Sequence, residues 1–367
     1  MLKIGILTLS ASNNCGSLLQ TYALKKLLEE YGDVEVINFS SIKSHEMYDI
    51  ISLKRGKRDA LRRIIKFRNL WRERKDYSSF RKKYLNIKGK ELYSKDLEKI
   101  SHNYDVVVVG SDQVWNINMF DFDDAFFLEW AQSKKISYAC SLGNSDLKNS
   151  DNYNHILHCL RSFSSISVRE ETGKKCLEDC LKQTIEKTLD PTLVISENVW
   201  RDFIKSRYIH SDYIFFYSWA YCDNSTLSIV CEESKKSGLP VYVIDSRKWI
   251  SKNPKDYNFR LYPHSGPIVF LNLMKYATKC YVESFHGMVF AYTFKKNFWL
   301  LDTHSRFDDL DLRLKEFVEL LGSESRILTK YNVDQIDQDK QFNYSKNMYL
   351  QNMKEKSIKY LKDAFSE

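Results

Sequence analysis

Five prolines and twelve glycines are few for a chain of 367 residues. That scarcity excludes long flexible linkers, collagen-like repeats and low-complexity segments, and no internal repeat is visible. The eight cysteines form no Cys-x-x-Cys pair. Cys176 and Cys180 share a helix face without a second pair to complete a zinc site, so neither a structural metal nor a disulfide scaffold is expected. No apolar run reaches the eighteen or so residues that a membrane-crossing helix needs. Met1–Ser10 lacks the charged leader and long apolar stretch of a signal peptide and reads as a buried strand, which makes a cytoplasmic protein the expectation. The first strand-to-helix turn also lacks the G-x-G-x-x-G spacing that lets a pyrophosphate approach, so dinucleotide binding is disfavoured.

What is present is a globular composition, 43% hydrophobic and 28% charged, on a length that suits two domains. Lys3–Ser10 reads as a strand, the polar loop after it enters a helix to about Tyr31, and Val34–Asn38 is a second strand. This βαβ opening is the signature of a parallel sheet. Asp105–Gly110, Ile136–Gly143 and Ile166–Val168 continue the first strand series. A crossover at about 196–211 leads to a second series at Tyr213–Ser218, Leu239–Ile244, Thr278–Val282 and Asn297–Leu301. Helices are expected at about 225–237, from Gly266, from Gly287 to Phe294, over 307–321 and at about 345–365. The reading is therefore α/β, with a first domain over 1–195, a second over 196–345 and a terminal helix over 346–367.

The first domain carries a helical insertion at about 41–90. Between Lys54 and Lys75 stand eleven basic residues against only Asp59 and Glu73. Leu61, Ile64, Ile65, Phe67, Leu70 and Trp71 are interleaved with them. Such a segment suits an anionic membrane surface, and it equally suits a solvated outer face. No nucleic-acid motif accompanies it, and no nucleic-acid partner is expected.

Polar residues gather where strands end. Glu283, Ser284 and His286 follow the Thr278–Val282 strand, at the entrance to an apolar helix. There the unpaired N–H groups favour an anion, and Gly287 lets a ligand approach. His286 is the candidate for moving protons. The alternative is that Ser284 merely caps the helix and His286 is a hydrogen-bonded core residue. Ser111, Asp112 and Gln113 end the Asp105–Gly110 strand, with Asp112 a candidate base or a turn cap. Arg169 stands at another strand end.

Asn14–Leu24, Val109–Asn116, Ser167–Gly173, Leu189–Thr192, Gly266–Leu271 and Glu283–Gly287 together resemble the polysaccharide pyruvyl transferase family, in colinear order along nearly the whole chain. The resemblance implies a fold similar to the glycosyltransferase-B arrangement: two Rossmann-like domains facing across a cleft, with a C-terminal helix returning to the first. It implies transfer of the pyruvyl carbons of phosphoenolpyruvate to a sugar of a bacterial surface polysaccharide, or of its polyprenyl-diphosphate-linked precursor, closing a ketal. Carried over by position, His286 and Arg169 fall at the phosphoenolpyruvate site, and His286 is expected to be catalytic together with Asp112 as the sugar-side base. Arg169, Ser284, His286 and Gly287 hold phosphoenolpyruvate, while Asn14, Gly16, Ser111, Gln113 and Trp115 face the acceptor. No metal and no cofactor beyond phosphoenolpyruvate as co-substrate is implied. Some relatives carry an arginine where Ser284 stands, and Arg306 or Lys295 is left to supply that cation. Cys15 occupies a place where relatives usually carry an aromatic. Because Arg169 and His286 fall in different halves, the two domains are expected to close on each other around the donor. Two other functions fit the same architecture: a nucleotide-sugar-dependent glycosyltransferase, with Asp308, Asp309 or Asp311 toward the ribose, and a non-catalytic carbohydrate-binding or assembly subunit.

Overall fold

Seven consecutive residues, Val106–Asp112, are buried and form the centre of the first sheet. A run so rich in β-branched side chains has no solvent face, which is the condition of a strand covered by helices on both sides. In the computed structural model, which describes residues 1–50, 57–218, 221, 223–302, 310–335, 337–344 and 347–366, this strand is β3. Its sheet comprises β1 (Leu2–Leu7), β2 (Gly32–Val36), β3, β4 (Lys134–Cys140), β5 (Ser167–Val168) and β6 (Glu186–Lys187). The order is β2-β1-β3-β4-β5-β6, with every pairing parallel.

The second sheet comprises β7 (Ile214–Tyr217), β8 (Val241–Val243), β9 (Phe259–Leu261), β10 (Lys279–Val282), β11 (Asn297–Leu301) and β12 (Ile327–Leu328). Its order is β12-β11-β10-β7-β8-β9, again all parallel. The helix Met348–Ser366 crosses back to the first sheet. There Ser357 Oγ accepts from Leu189 N at 2.9 Å, Tyr360 Oη donates to Ser137 O at 2.7 Å, and Phe365 stacks on Tyr31.

The segment between the sheets is part of the core. Trp200, on the short helix Glu197–Asp202, is fully buried and meets Phe290 edge-on at 5.0 Å and Tyr22 at 6.1 Å. One contiguous apolar cluster includes Ile6 and Leu24 from the first half and Phe270, Val282 and Phe290 from the second.

The insertion is more than a solvated face. Its longer helix, Phe67–Tyr84, buries Leu70, Tyr77 and Phe80 and reaches the second half of the chain. Tyr77 Oη donates to Asp245 Oδ1 at 3.0 Å, Arg72 to Pro263 O at 3.2 Å, and Ser265 N to Asp76 Oδ2 at 3.1 Å. Lys66 donates to the Trp249 carbonyl. Lys54 and Arg55 lie outside the described residues.

Candidate active site

In an open parallel sheet, a crevice forms where the chain switches from building one side to building the other, at the strands' carboxyl ends. The first sheet switches between β1 and β3, the second between β7 and β10. Both switch points open onto one cavity of about 550 Å³, lined by Ser12 and Asn14 after β1, Asp112 in β3, Ser218 after β7, and Ser284 and His286 after β10.

Ser284 is the N-cap of the helix Phe285–Thr293, its Oγ accepting from Gly287 N at 3.1 Å. The helix therefore begins two residues before the expected start, and His286 sits in its first turn. Gly287 makes room for the cap and not for a ligand: a Cβ there would lie 2.9 Å from Ser284 Oγ and 3.0 Å from Val282 Cβ. The opposite wall begins with a second helix N-terminus, Cys15–Leu28, whose N-cap Asn14 accepts from Gly16 N at 2.8 Å. Two helix starts thus face one cavity, each adding partial positive charge.

His286 is nearly buried and held from both sides. Its Nε2 lies 3.3 Å from Asp190 Oδ2, at ion-pair distance without the geometry of a hydrogen bond. Its Nδ1 edge rests on Gly16, where an added Cβ would come within 2.3 Å of Nδ1. Gly16 is thus a seat for the histidine and not an acceptor contact. Gly16→Ala is compatible with a helix backbone but must push the ring out of place. Displacements of this order cost about a hundredfold in rate, so turnover should fall by roughly that factor while the chain stays folded. Assaying transfer rate beside thermal melting checks this, and normal turnover in the variant would show that the seat does not matter.

Arg169 lies behind His286 and is absent from the cavity wall. Its Nη1 donates to Asp190 Oδ2 and its Nε to Glu170 Oε1, both at 2.8 Å, and its guanidinium stacks on Phe285 at 4.3 Å. Burial would push the Asp190 carboxyl up, but the charges of His286 and Arg169 and the bond from Thr192 hold it well below the usual carboxylate range. Arg169 and His286 are therefore already joined through Asp190. The expectation that domain closure must first bring them together is corrected: the cluster is preassembled.

The other sequence-derived residues divide. Asp112 and Gln113 line the cavity. Asp112 adopts a left-handed φ of 76°, uncommon for a side-chain-bearing residue, and accepts from Ser17 Oγ at 2.8 Å and Gln113 N at 3.0 Å. Ser111 is fully buried, its hydroxyl turned to Ala139 O and Asp190, and so supports the site from behind. Trp115 cannot touch an acceptor: it is fully buried between Phe127 and Phe163, with Nε1 donating to Phe126 O. Cys15 is likewise buried, its sulfur 3.1 Å from Tyr77 Oη. Lys295 is exposed beyond the far end of the Phe285–Thr293 helix, which itself spans roughly 13 Å from the Ser284 end at 1.5 Å per residue. It cannot replace the cation that some relatives have at that end. Arg306, Asp308 and Asp309 lie outside the described residues.

Arg313, which the sequence did not single out, is the arginine on the cavity wall among the described residues. It forms a fork with the Asp311 carboxylate at 2.9 and 2.7 Å, and Gln113, with its amide oriented to satisfy both neighbours, accepts from Arg313 Nη1 at 2.9 Å. Its position in the first turn of the helix Leu312–Leu321 is the one signal that could have found it. The wall is otherwise acidic, with Asp112, Asp121, Asp223, Glu283, Asp302 and Asp311. Burial pushes the carboxyls of Glu283 and Asp121 up. Among the described residues, the one cluster of three metal-type ligands is Glu129, His155 and Cys159, away from this cavity.

Comparisons with solved structures agree with the architecture. UDP-GlcNAc 2-epimerase from Methanocaldococcus jannaschii is similar at a TM-score of 0.54 and 14% identity, over 94% of this chain and 95% of that one. UDP-N-acetylglucosamine 2-epimerase from Rickettsia bellii gives 0.57 at 9% identity, over 100% and 96%. At such identities the likeness shows the fold alone, which is the glycosyltransferase-B arrangement. No curated protein sequence matches the chain. The family model of the polysaccharide pyruvyl transferases matches residues 14–305, a span that holds the whole of the His286–Asp190–Arg169 cluster. The chain belongs to the polysaccharide pyruvyl transferase family.

Proposed function

We propose that the chain transfers the pyruvyl group of phosphoenolpyruvate to a sugar of a surface polysaccharide or its lipid-linked precursor, closing a ketal across two hydroxyls. In that reaction C3 of the enol takes a proton and C2 takes bonds to two sugar oxygens. The C2–O bond to phosphate breaks and inorganic phosphate leaves, while the two hydroxyls give up the protons that balance the equation.

The observation that carries this reading is a titratable histidine seated at a helix N-terminus, with a buried carboxylate behind it, on a cavity between two sheets. Asp190 stands behind the ring at ion-pair distance and fixes its place, and His286 can hand a proton to C3 and recover one from the attacking hydroxyl. The donor's negative charges suit the corner formed by the two helix starts and Arg313. The carboxylates of Asp112, Asp121 and Asp223 suit sugar hydroxyls, which they accept from, and would repel a second anion. Arg169 contributes by fixing Asp190.

Incubating the purified chain with an oligosaccharide panel and either phosphoenolpyruvate or a set of nucleotide sugars tests the reading. Phosphate release with a mass gain of one pyruvyl group on the glycan is the expected result. Glycosyl transfer from a nucleotide sugar instead would assign the cavity to the competing chemistry. No turnover with either donor, together with unchanged biological activity after loss of His286 and Arg169, would favour a non-catalytic subunit.

A further inference from the structure

We propose that the insertion docks this protein on an anionic membrane surface through the helix Lys57–Ile65 and the first turns of the helix Phe67–Tyr84. The first of these helices is turned inside out. Its buried residues are Ala60 and Arg63, while Leu61, Ile64 and Ile65 are 59%, 55% and 75% exposed. Phe67 and Trp71, one turn apart on the next helix, add 44% and 51%. Folding in water normally buries isoleucine and leaves arginine outside. Here Arg63 is instead retained inside by Asp59 at 2.6 Å and the Asp49 carbonyl at 3.1 Å, and five large apolar side chains face outward together.

Their charged neighbours settle what would cover them. Lys57, Arg58, Arg62, Arg68, Arg74 and Lys75 are exposed around the apolar face, and Lys75 Nζ lies over the Trp71 ring at 5.3 Å. The two acids of the stretch are engaged elsewhere, Asp59 with Arg63 and Glu73 with the Arg247 backbone at 3.0 Å. An apolar stripe flanked by cations, with tryptophan and phenylalanine at its edge, matches the boundary between anionic headgroups and acyl chains. A second copy of the chain is disfavoured because a two-fold contact would set these like charges against one another. A nucleic acid could stack on Phe67 and Trp71 but would leave Leu61, Ile64 and Ile65 uncovered.

The face is joined to the cavity. Arg63 holds the Asp49 carbonyl, and the helix that ends just before it, Ile42–Tyr48, supplies Met47 and Tyr48 to the cavity wall. On the proposed function, a surface-bound enzyme would meet its sugar on a lipid carrier. Docking itself does not depend on that reading, because the assay contains no substrate.

Sedimentation of the full chain with vesicles of phosphatidylcholine, with or without phosphatidylglycerol, is the test. Binding should require the anionic lipid and should fall between about 0.1 M and 1 M salt, as the screening length drops from about 10 to 3 Å. Arg58→Gln with Arg62→Gln and Arg68→Gln should lower partitioning by about a hundredfold, roughly fivefold for each cation lost. Leu61→Ser with Ile64→Ser and Ile65→Ser should lower it at least as far, with melting little changed because each of these side chains is more than half exposed. Transfer to a soluble acceptor should be unaffected in both variants, which separates this proposal from the reading of the cavity. No binding at low salt, or variants that bind like the parent, would overturn it. So would self-association of the parent without vesicles that the serine variant abolishes, since the face would then belong to a second copy.

Discussion

Replacing His286 by glutamine should lower the rate of pyruvyl transfer by roughly a hundredfold or more, with a much smaller change in phosphoenolpyruvate binding. Glutamine can still donate a hydrogen bond from a similar place, so the helix start and its anion-binding N–H groups stay intact. It cannot carry a proton to the substrate, and the carboxylate 3.3 Å from the ring is then left without its partner there. Binding by calorimetry beside a ketal-forming rate assay separates the two effects. Near-normal turnover in the variant would reduce His286 to a packing residue against Gly16 and sink the mechanism.

Asp190→Asn is expected to cost about 3–5 kcal/mol of stability at neutral pH, the usual range for breaking a buried pair by removing one partner. Asp190 is 1% exposed and answers Arg169 and His286 at once, and without its charge Glu170 is the remaining ion-pair partner of Arg169 among the described residues. The sign of the pH effect follows from the direction of the shift. A carboxyl held below its unfolded value of about 3.9 contributes stability that is fully present above that pH and lost as pH falls further toward the folded value. Parent and variant should therefore differ most at pH 6–8 and converge in strong acid, below about pH 3.9. Melting curves across that window check it, and a variant as stable as the parent at neutral pH would mean the cluster is not a stabilising pair.

How far the sequence led depended on what each residue signals locally. Both strand series and the returning helix could be read because strand and helix periods are local patterns. The strands it missed, β6, β9 and β12, are two or three residues long at or near sheet edges, too short to carry a period. Asp112, Gln113, Ser284 and His286 stood out because strand ends are where polar residues have no packing reason to be, and Asn14 because of the family resemblance; all five line the cavity. Whether such a residue points into the cavity or behind it is not a local property. Trp115 and Ser111 sit on the same turn as Asp112 and Gln113, yet both are fully buried. Arg169 reads as a free cation until Asp190, twenty-one residues later, is folded against it. Arg313 looked like one surface arginine among many, because its neighbour Gln113 is two hundred residues away.

The shared apolar cluster has a consequence for how this molecule comes apart. Two sheets of six strands would ordinarily be two calorimetric units, each melting on its own terms. Here Trp200 and Phe290 are packed ring against ring, so separating the halves would strip water-avoiding surface from both. The smallest unit that unfolds cooperatively is then the whole chain, and the seam between the sheets is a boundary of topology without being a boundary of stability.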